Sequence, residues 1–202
     1  MRLFFALAML SASLAVAEEK PVEIPLKSIW ALDMPGTKDV HELDPYDGDN
    51  PTVIGKIIRV FFTKHDEDTP PEKCFVVQGE GKEALKNAAD VLICNEPRLK
   101  GVKASHAASL VFYSYPAPGY VVLDSVIRTG NQITINYQVV VHQSSNVTSH
   151  FALIPLHNLP LGKITVKPVQ VPAKESRVPL PDPKQSEQAV CDSCSFVVVQ
   201  AR

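Results

Sequence analysis

No one sign of charge dominates this chain. Lys and Arg number 20 against 22 Asp and Glu, a formal net charge of −2. That near balance excludes a strongly basic nucleic-acid binder and polybasic attachment to a membrane surface. Beyond the first seventeen residues no apolar run is long enough to cross a hydrocarbon core of roughly 30 Å. Nucleophile and metalloprotease signatures are missing: there is no G-x-S-x-G, no H-E-x-x-H and no S-D-N pattern. Gly79-x-Gly81 lacks the rest of a dinucleotide or phosphate loop, so it reads as the start of a helix. The acidic stretch HDEDTPPE lacks the Gly and the final Glu of a calcium loop and reads as solvated. Cysteine is sparse at four residues, and tryptophan occurs once, at Trp30.

The chain opens with Arg2, an apolar run over Leu3–Leu10, and the small-residue pattern Ala15-Val16-Ala17 before Glu18. This three-part signature predicts a secretory signal peptide over residues 1–17 and a mature chain starting at Glu18. The mature chain is then secreted or periplasmic. It carries 19 Lys and Arg against 22 Asp and Glu once Arg2 is removed. Asn146-Val147-Thr148 is a glycosylation sequon, which matters only in a eukaryotic secretory pathway.

Prolines, 17 in all, cluster toward the two ends. Residues 18–52 read as an extended arm packed on the domain through Ile29, Trp30 and Leu32, with a short helix at Lys38–Leu43. Residues 53–171 form the main domain. VIGKIIRVFFTK (53–64) is β-branched and aromatic and is expected as a strand, and CFVVQG (74–79) as a second. Leu85, Ala88, Ala89 and Leu92 recur at helical spacing and place the main helix around 81–92. Strands are expected at VFYSY, Tyr120–Arg128, 133–142, His150–Leu156 and Gly162–Val171. Gly130 and Asn131 supply a turn. Ile133, Ile135, Tyr137, Val139 and Val141 face one way and Thr134, Asn136, Gln138 and His142 the other, as a sheet with one face on a core requires. Residues 172–190 are Pro-rich and polar, and residues 191–202 end in a strand, SFVVVQ, expected to pair with a sheet edge. The fold class is therefore α+β: a mostly antiparallel sheet, meander or sandwich-like, with one main helix.

Cys74, Cys94, Cys191 and Cys194 are disulfide candidates in an oxidising compartment, with Cys74–Cys94 and Cys191–Cys194 the preferred pairing. Only one C-x-x-C is present, so the two knuckles of a zinc ribbon are missing. A thiol–disulfide protein using Cys191 and Cys194 is an alternative, although the motif precedes a strand rather than opening a helix. His142 and His150 flank a loop at the ends of two expected strands. They could share a metal in a metal-dependent hydrolase; two surface histidines near a hairpin tip is the favoured reading. No cofactor is expected, and no nucleic acid. A protein or peptide partner is expected at a sheet edge. The resulting expectation is a secreted, non-catalytic structural or binding module.

LVFYSYPAPGYVVLDSVIRTGNQITINYQVVVH and TSHFALIPLHNLPLGKITV resemble a family of uncharacterised secreted proteins of planctomycete bacteria, and SIWALDMPGTKDVHELDP resembles that family's N-terminal segment. Together these segments span about half the mature chain. The resemblance implies a bacterial extracytoplasmic protein and no particular activity. The strand order around Pro118-Gly119-Tyr120 and Thr148–Pro155 is also similar to the C-terminal domain of a family of protease-complex proteins. That family has Gly-Gly-Tyr where this chain has Pro118-Gly119-Tyr120, so no functional residues carry over.

Overall fold

The computed structural model describes residues 19–44, 52–63, 74–94, 96–118, 120–140, 147–172 and 194–200. In chain order these form β1 (Val22–Ile24), β2 (Trp30–Ala31), β3 (Lys38–Asp39), α1 (Val53–Thr63), β4 (Cys74–Gln78), α2 (Lys82–Ile93), β5 (Gly101–Lys103), β6 (Ala108–Pro118), β7 (Tyr120–Thr129), β8 (Gln132–Val140), β9 (Val147–Leu156), β10 (Gly162–Gln170) and β11 (Cys194–Val199). The fold is α+β and mostly sheet, with single 3-10 turns at Leu26–Ser28 and Val40–Leu43.

The strands form two sheets rather than one meander. An outer sheet has the order β1-β7-β8-β10-β11-β5, and a central sheet the order β3-β2-β9-β6-β4. Consecutive strands pair directly at the β7–β8 hairpin, whose two-residue loop is Gly130-Asn131 with Gly130 at φ 55°. This is the turn chemistry that positive φ demands. β2 and β3, and β10 and β11, also pair as chain neighbours, while other pairings are non-local: β6 bonds to β9 and β4, and β8 runs parallel to β10.

Alternation explains the layering. Leu110 and Phe112 of β6, with Cys74 and Val76 of β4, face the outer sheet and meet Ile133, Ile135, Tyr137, Ile164 and Phe196 in an inter-sheet core. Val111 and Tyr113, with Phe75 and Val77, face the opposite way and lie under the helices. The central sheet is thus covered on both faces, which is why β4 and β9 are nearly continuous apolar runs. The outer sheet has one wet face, and β8 and β10 alternate accordingly. The alternation expected for Ile133–Val139 holds except at Gln138, which is expected outward and is buried; Val141 and His142 lie outside the described residues.

Residues 53–63, expected as a strand, are a helix. The same residues satisfy helical spacing: Ile54 and Ile57 are buried, with Val53 and Ile58 packed beside them against α2 and the central sheet. The start is fixed by Thr52, whose Oγ1 accepts from Gly55 N at 3.0 Å, and by Asp44, whose carboxylate accepts from Ile54 N at 2.9 Å. β-branched residues lose only a few tenths of a kcal/mol in a helix, less than one buried Ile contributes. Two main helices therefore stand where one was expected. The second, α2, lies where the Leu and Ala spacing placed it.

The arm does more than pack on the outside. Its strands β1, β2 and β3 join the two sheets, and Ile29 is wholly buried. Trp30 is half-buried, with Lys38 Nζ 4.9 Å above its ring. In place of the short helix at Lys38–Leu43 there is β3 and then the 3-10 turn, capped by Asp39 through His41 N. The C-terminal strand β11 is not an edge addition. It lies between β10, antiparallel, and β5, parallel.

The Cys74–Cys94 pairing is not made, and no disulfide joins the described cysteines. Cys74 is part of the inter-sheet core, whereas Cys94 ends α2 on the other side of the central sheet. Cys191, the Pro-rich segment beyond residue 172 and the signal segment lie outside the described residues.

Gly101 lies where β5 meets β11. A Cβ there would stand 2.8 Å from the backbone oxygen of Val197. Gly101→Ala is expected to destabilise the protein by about 1–3 kcal/mol, as overpacking against an immovable backbone does. Urea denaturation checks this, and an unchanged midpoint would contradict the close approach.

Candidate functional site

At one end of the sandwich lies a cavity of about 330 Å³. Three segments build it. The turn after β5 brings Lys103, Ser105 and His106; the loop after β9 brings His157, Asn158 and Leu159; and the link from β4 to α2 brings Glu80. Its lining is mainly polar, and the core residues beneath it are almost wholly covered, Val102 at 2% and Leu156 at 3% exposed. Val102 and Leu156 belong to the inter-sheet core, and Leu159 packs against it.

Each segment is held by identifiable bonds. Gly79 N donates to Ala107 O at 2.8 Å, and Ser109 Oγ donates to Gly79 O at 2.8 Å in a buried position. Asn87 Nδ2 donates to Gln78 O at 2.9 Å. These three bonds carry Glu80 to the rim on a fixed backbone. Gly79 and Gly81 both adopt positive φ, at 83° and 55°, which is how the chain turns from β4 into α2 so abruptly. His106 N bonds to Lys103 O at 3.0 Å and Ala104 N to Val199 O at 2.9 Å, closing the second segment. Asn158 holds φ at 49°, a left-handed conformation that Asn tolerates, and its carbonyl accepts from the Arg128 guanidinium.

Two polar pairs stand on this rim. His157 Nδ1 is 3.2 Å from Glu80 Oε1, with the side chains 61% and 38% exposed. Ser105 Oγ and His106 Nδ1 are 3.0 Å apart. The carboxylate therefore orients His157 while the hydroxyl meets His106. A Ser–His–carboxylate relay needs all three groups in one line, and here they form two separate pairs. Exposure makes the His157–Glu80 contact worth at most about 1 kcal/mol. Its chemical use is presentation of donors and acceptors at the lip of the cavity.

The histidines singled out in the sequence lie elsewhere. His142 is outside the described residues. His150 is 1% exposed, inside the corner where the chain passes from the central sheet to the outer one, and its Nε2 accepts from Val121 N at 3.0 Å. An Nε2 accepting a backbone hydrogen has no lone pair left for a metal in this arrangement. Among the described residues no three His, Cys, Asp or Glu side chains converge as a metal site. The described cysteines are likewise absent from the cavity lining. His106, His157 and Glu80 were not singled out in the sequence. They come from segments far apart in the chain and carry no spacing signal, and only the glycines flanking Glu80 hinted at a tight turn.

No family model, curated protein or solved structure matches the chain.

His150 generates a stability prediction. His150→Leu should cost about 1–3 kcal/mol, because Val121 N–H loses its acceptor in a buried corner. His150→Gln, which offers a carbonyl oxygen at similar reach, should lose less. Urea denaturation of both variants tests this, and equal losses would show that packing rather than the hydrogen bond is at stake.

Proposed function

We propose that the protein is a secreted, non-catalytic binding module that takes a small amphiphilic ligand in the cavity at the β5–β6 and β9–β10 end. One observation carries the reading: a concavity of about 330 Å³ lined by several polar side chains, on loops pinned to both sheets. In small-molecule sites a few placed polar groups fix the ligand's orientation. A polar group of the ligand would meet Lys103, His106 and the His157–Glu80 pair, and an apolar part would lie against Leu159.

A peptide added at a sheet edge is the competing site for a binding module. Edge strands β1 and β5 span three residues each and β3 two, and short edges are how sheets resist added strands; the fourth edge, β4, spans five residues and lies beside β5 and β11. Pro21 and Pro25 flank β1 and withhold the donors that an added strand would use. The cavity is favoured for that reason. Secretion is supported by the N-terminal signature and by the resemblance to secreted planctomycete proteins.

NMR titration of the mature chain with a panel of small amphiphiles, aliphatic or aromatic bodies bearing one carboxylate, amide or hydroxyl, tests the site. The expected result is amide shifts confined to residues 101–107 and 156–159, with affinity about tenfold weaker in His157→Ala, equivalent to one interaction of about 1.4 kcal/mol. Shifts confined to β1 or β3 would move recognition to a sheet edge, and a panel without shifts would remove the proposal.

A further inference from the structure

The geometry points to a disulfide between Cys74 and Cys194 that crosses from the central sheet to the outer sheet. It stands apart from the ligand reading, using neither the cavity nor its rim.

Both side chains face the same core. Cys74 is 1% exposed and belongs to the inter-sheet cluster, and Cys194, half-buried, packs against that cluster. Each is the first residue of its strand, β4 and β11 respectively. The two strands also start at matching heights. Gln78 pairs with Ala108, and Gly79 N bonds to Ala107 O, so the end of β4 lies beside the turn that follows β5. Val199 pairs with Lys103, and Ala104 N bonds to Val199 O, so the end of β11 lies beside that same turn. From this shared rim, Cys74 is four residues back along β4 and Cys194 five back along β11. At about 3.3 Å per residue, both stand roughly 15 Å from the rim.

Separation across the layers also fits. Stacked sheets usually lie about 10 Å apart, too far for a direct bridge, which needs Cα atoms about 4.4–6.8 Å apart. Here β4, the last strand of the central sheet, and β11 approach within 8 Å between Cα atoms. The bridge requires the two strand starts to draw in from that spacing to the bridging range. Cys94, at the exposed end of α2 beyond the central sheet, cannot reach either residue.

The chemistry is ordinary thiol–disulfide exchange. The Cys74 thiolate attacks one sulfur of an oxidised low-molecular-weight disulfide such as oxidised glutathione, forming a mixed disulfide and releasing one thiolate. The Cys194 thiolate then attacks the Cys74 sulfur and releases the second. Two thiols are oxidised, one disulfide is reduced, and two protons leave with the departing thiols. The new loop spans most of the domain, and long loops are where a cross-link restrains the unfolded chain most.

The experiment equilibrates the full mature chain with oxidised glutathione, alkylates it under denaturing conditions and digests it with trypsin and an endoprotease cutting before Asp. Cleavage before Asp192 separates Cys191 from Cys194. The expected result is a peptide containing Cys74 linked to the peptide containing Cys194, with Cys94 and Cys191 alkylated. Thermal unfolding with reductant should then occur roughly 10 °C lower than without it. Peptide mapping needs no variant, so a folding defect in a Cys74→Ser chain cannot obscure the outcome. A Cys74 that stays alkylatable, or one linked to Cys191 or Cys94, overturns the proposal, as does a Cys191–Cys194 link.

Discussion

Phe112 and Tyr113 are neighbours in the chain, and each is almost wholly buried, on opposite faces of one sheet. That double burial is the constraint on which the rest of the structure depends. A strand buried on both faces needs an apolar layer above and another below. The outer sheet supplies one, with Tyr137 tilted against Phe112 at 5.9 Å between ring centroids. The helices supply the other, with Tyr113 edge-on to Phe75 at 6.2 Å beneath α1 and α2. Neither cover is optional, because removing either would expose an apolar sheet face of many residues.

The same constraint decides where polarity is tolerated. His150 is a large polar side chain inside the sandwich, at the corner where β6 leads into β7 and the chain changes sheets. Its acceptor nitrogen answers Val121 N–H, which faces away from the outer sheet's own ladder. Chain reversal between layers leaves backbone groups without a strand partner, and a buried imidazole is one way to satisfy them. On the wet face of the outer sheet the demands are lighter. Asn136 bonds to Ser125 and Gln138 to Asp124 across the bulge in β7, and both pairs are part-buried.

At the opposite end the turns after β5 and β9 and the link from β4 to α2 surround an opening, the cavity. A concave site of this kind is a by-product of layering: core residues close its base, and its polar lining consists of the loops themselves. The approach of β4 to β11 is the counterpart of that opening, since there the sheet margins draw together and bring two cysteines to one level.

Much of this was legible in the sequence, and what was not has physical reasons. Period-two alternation placed β8 and its inward residues, Gly130-Asn131 placed the hairpin, and Leu85, Ala88, Ala89 and Leu92 placed α2, because each signal is local. The α+β class followed from those pieces. Residues 53–63 misled, since Ile and Val suit a strand by propensity and a helix by spacing, and burial against α2 together with the Thr52 and Asp44 caps decided between them. The division into two sheets, the parallel β8–β10 pair and the place of β11 between β10 and β5 rest on contacts distant in the chain, which no local pattern encodes. For the same reason His150 and Cys74 could be picked out by residue type, while the corner one occupies and the core the other faces were settled only by tertiary packing. The cavity that joins Glu80, His106 and His157 has no sequence signature at all, because its parts meet only when three loops are anchored on finished sheets.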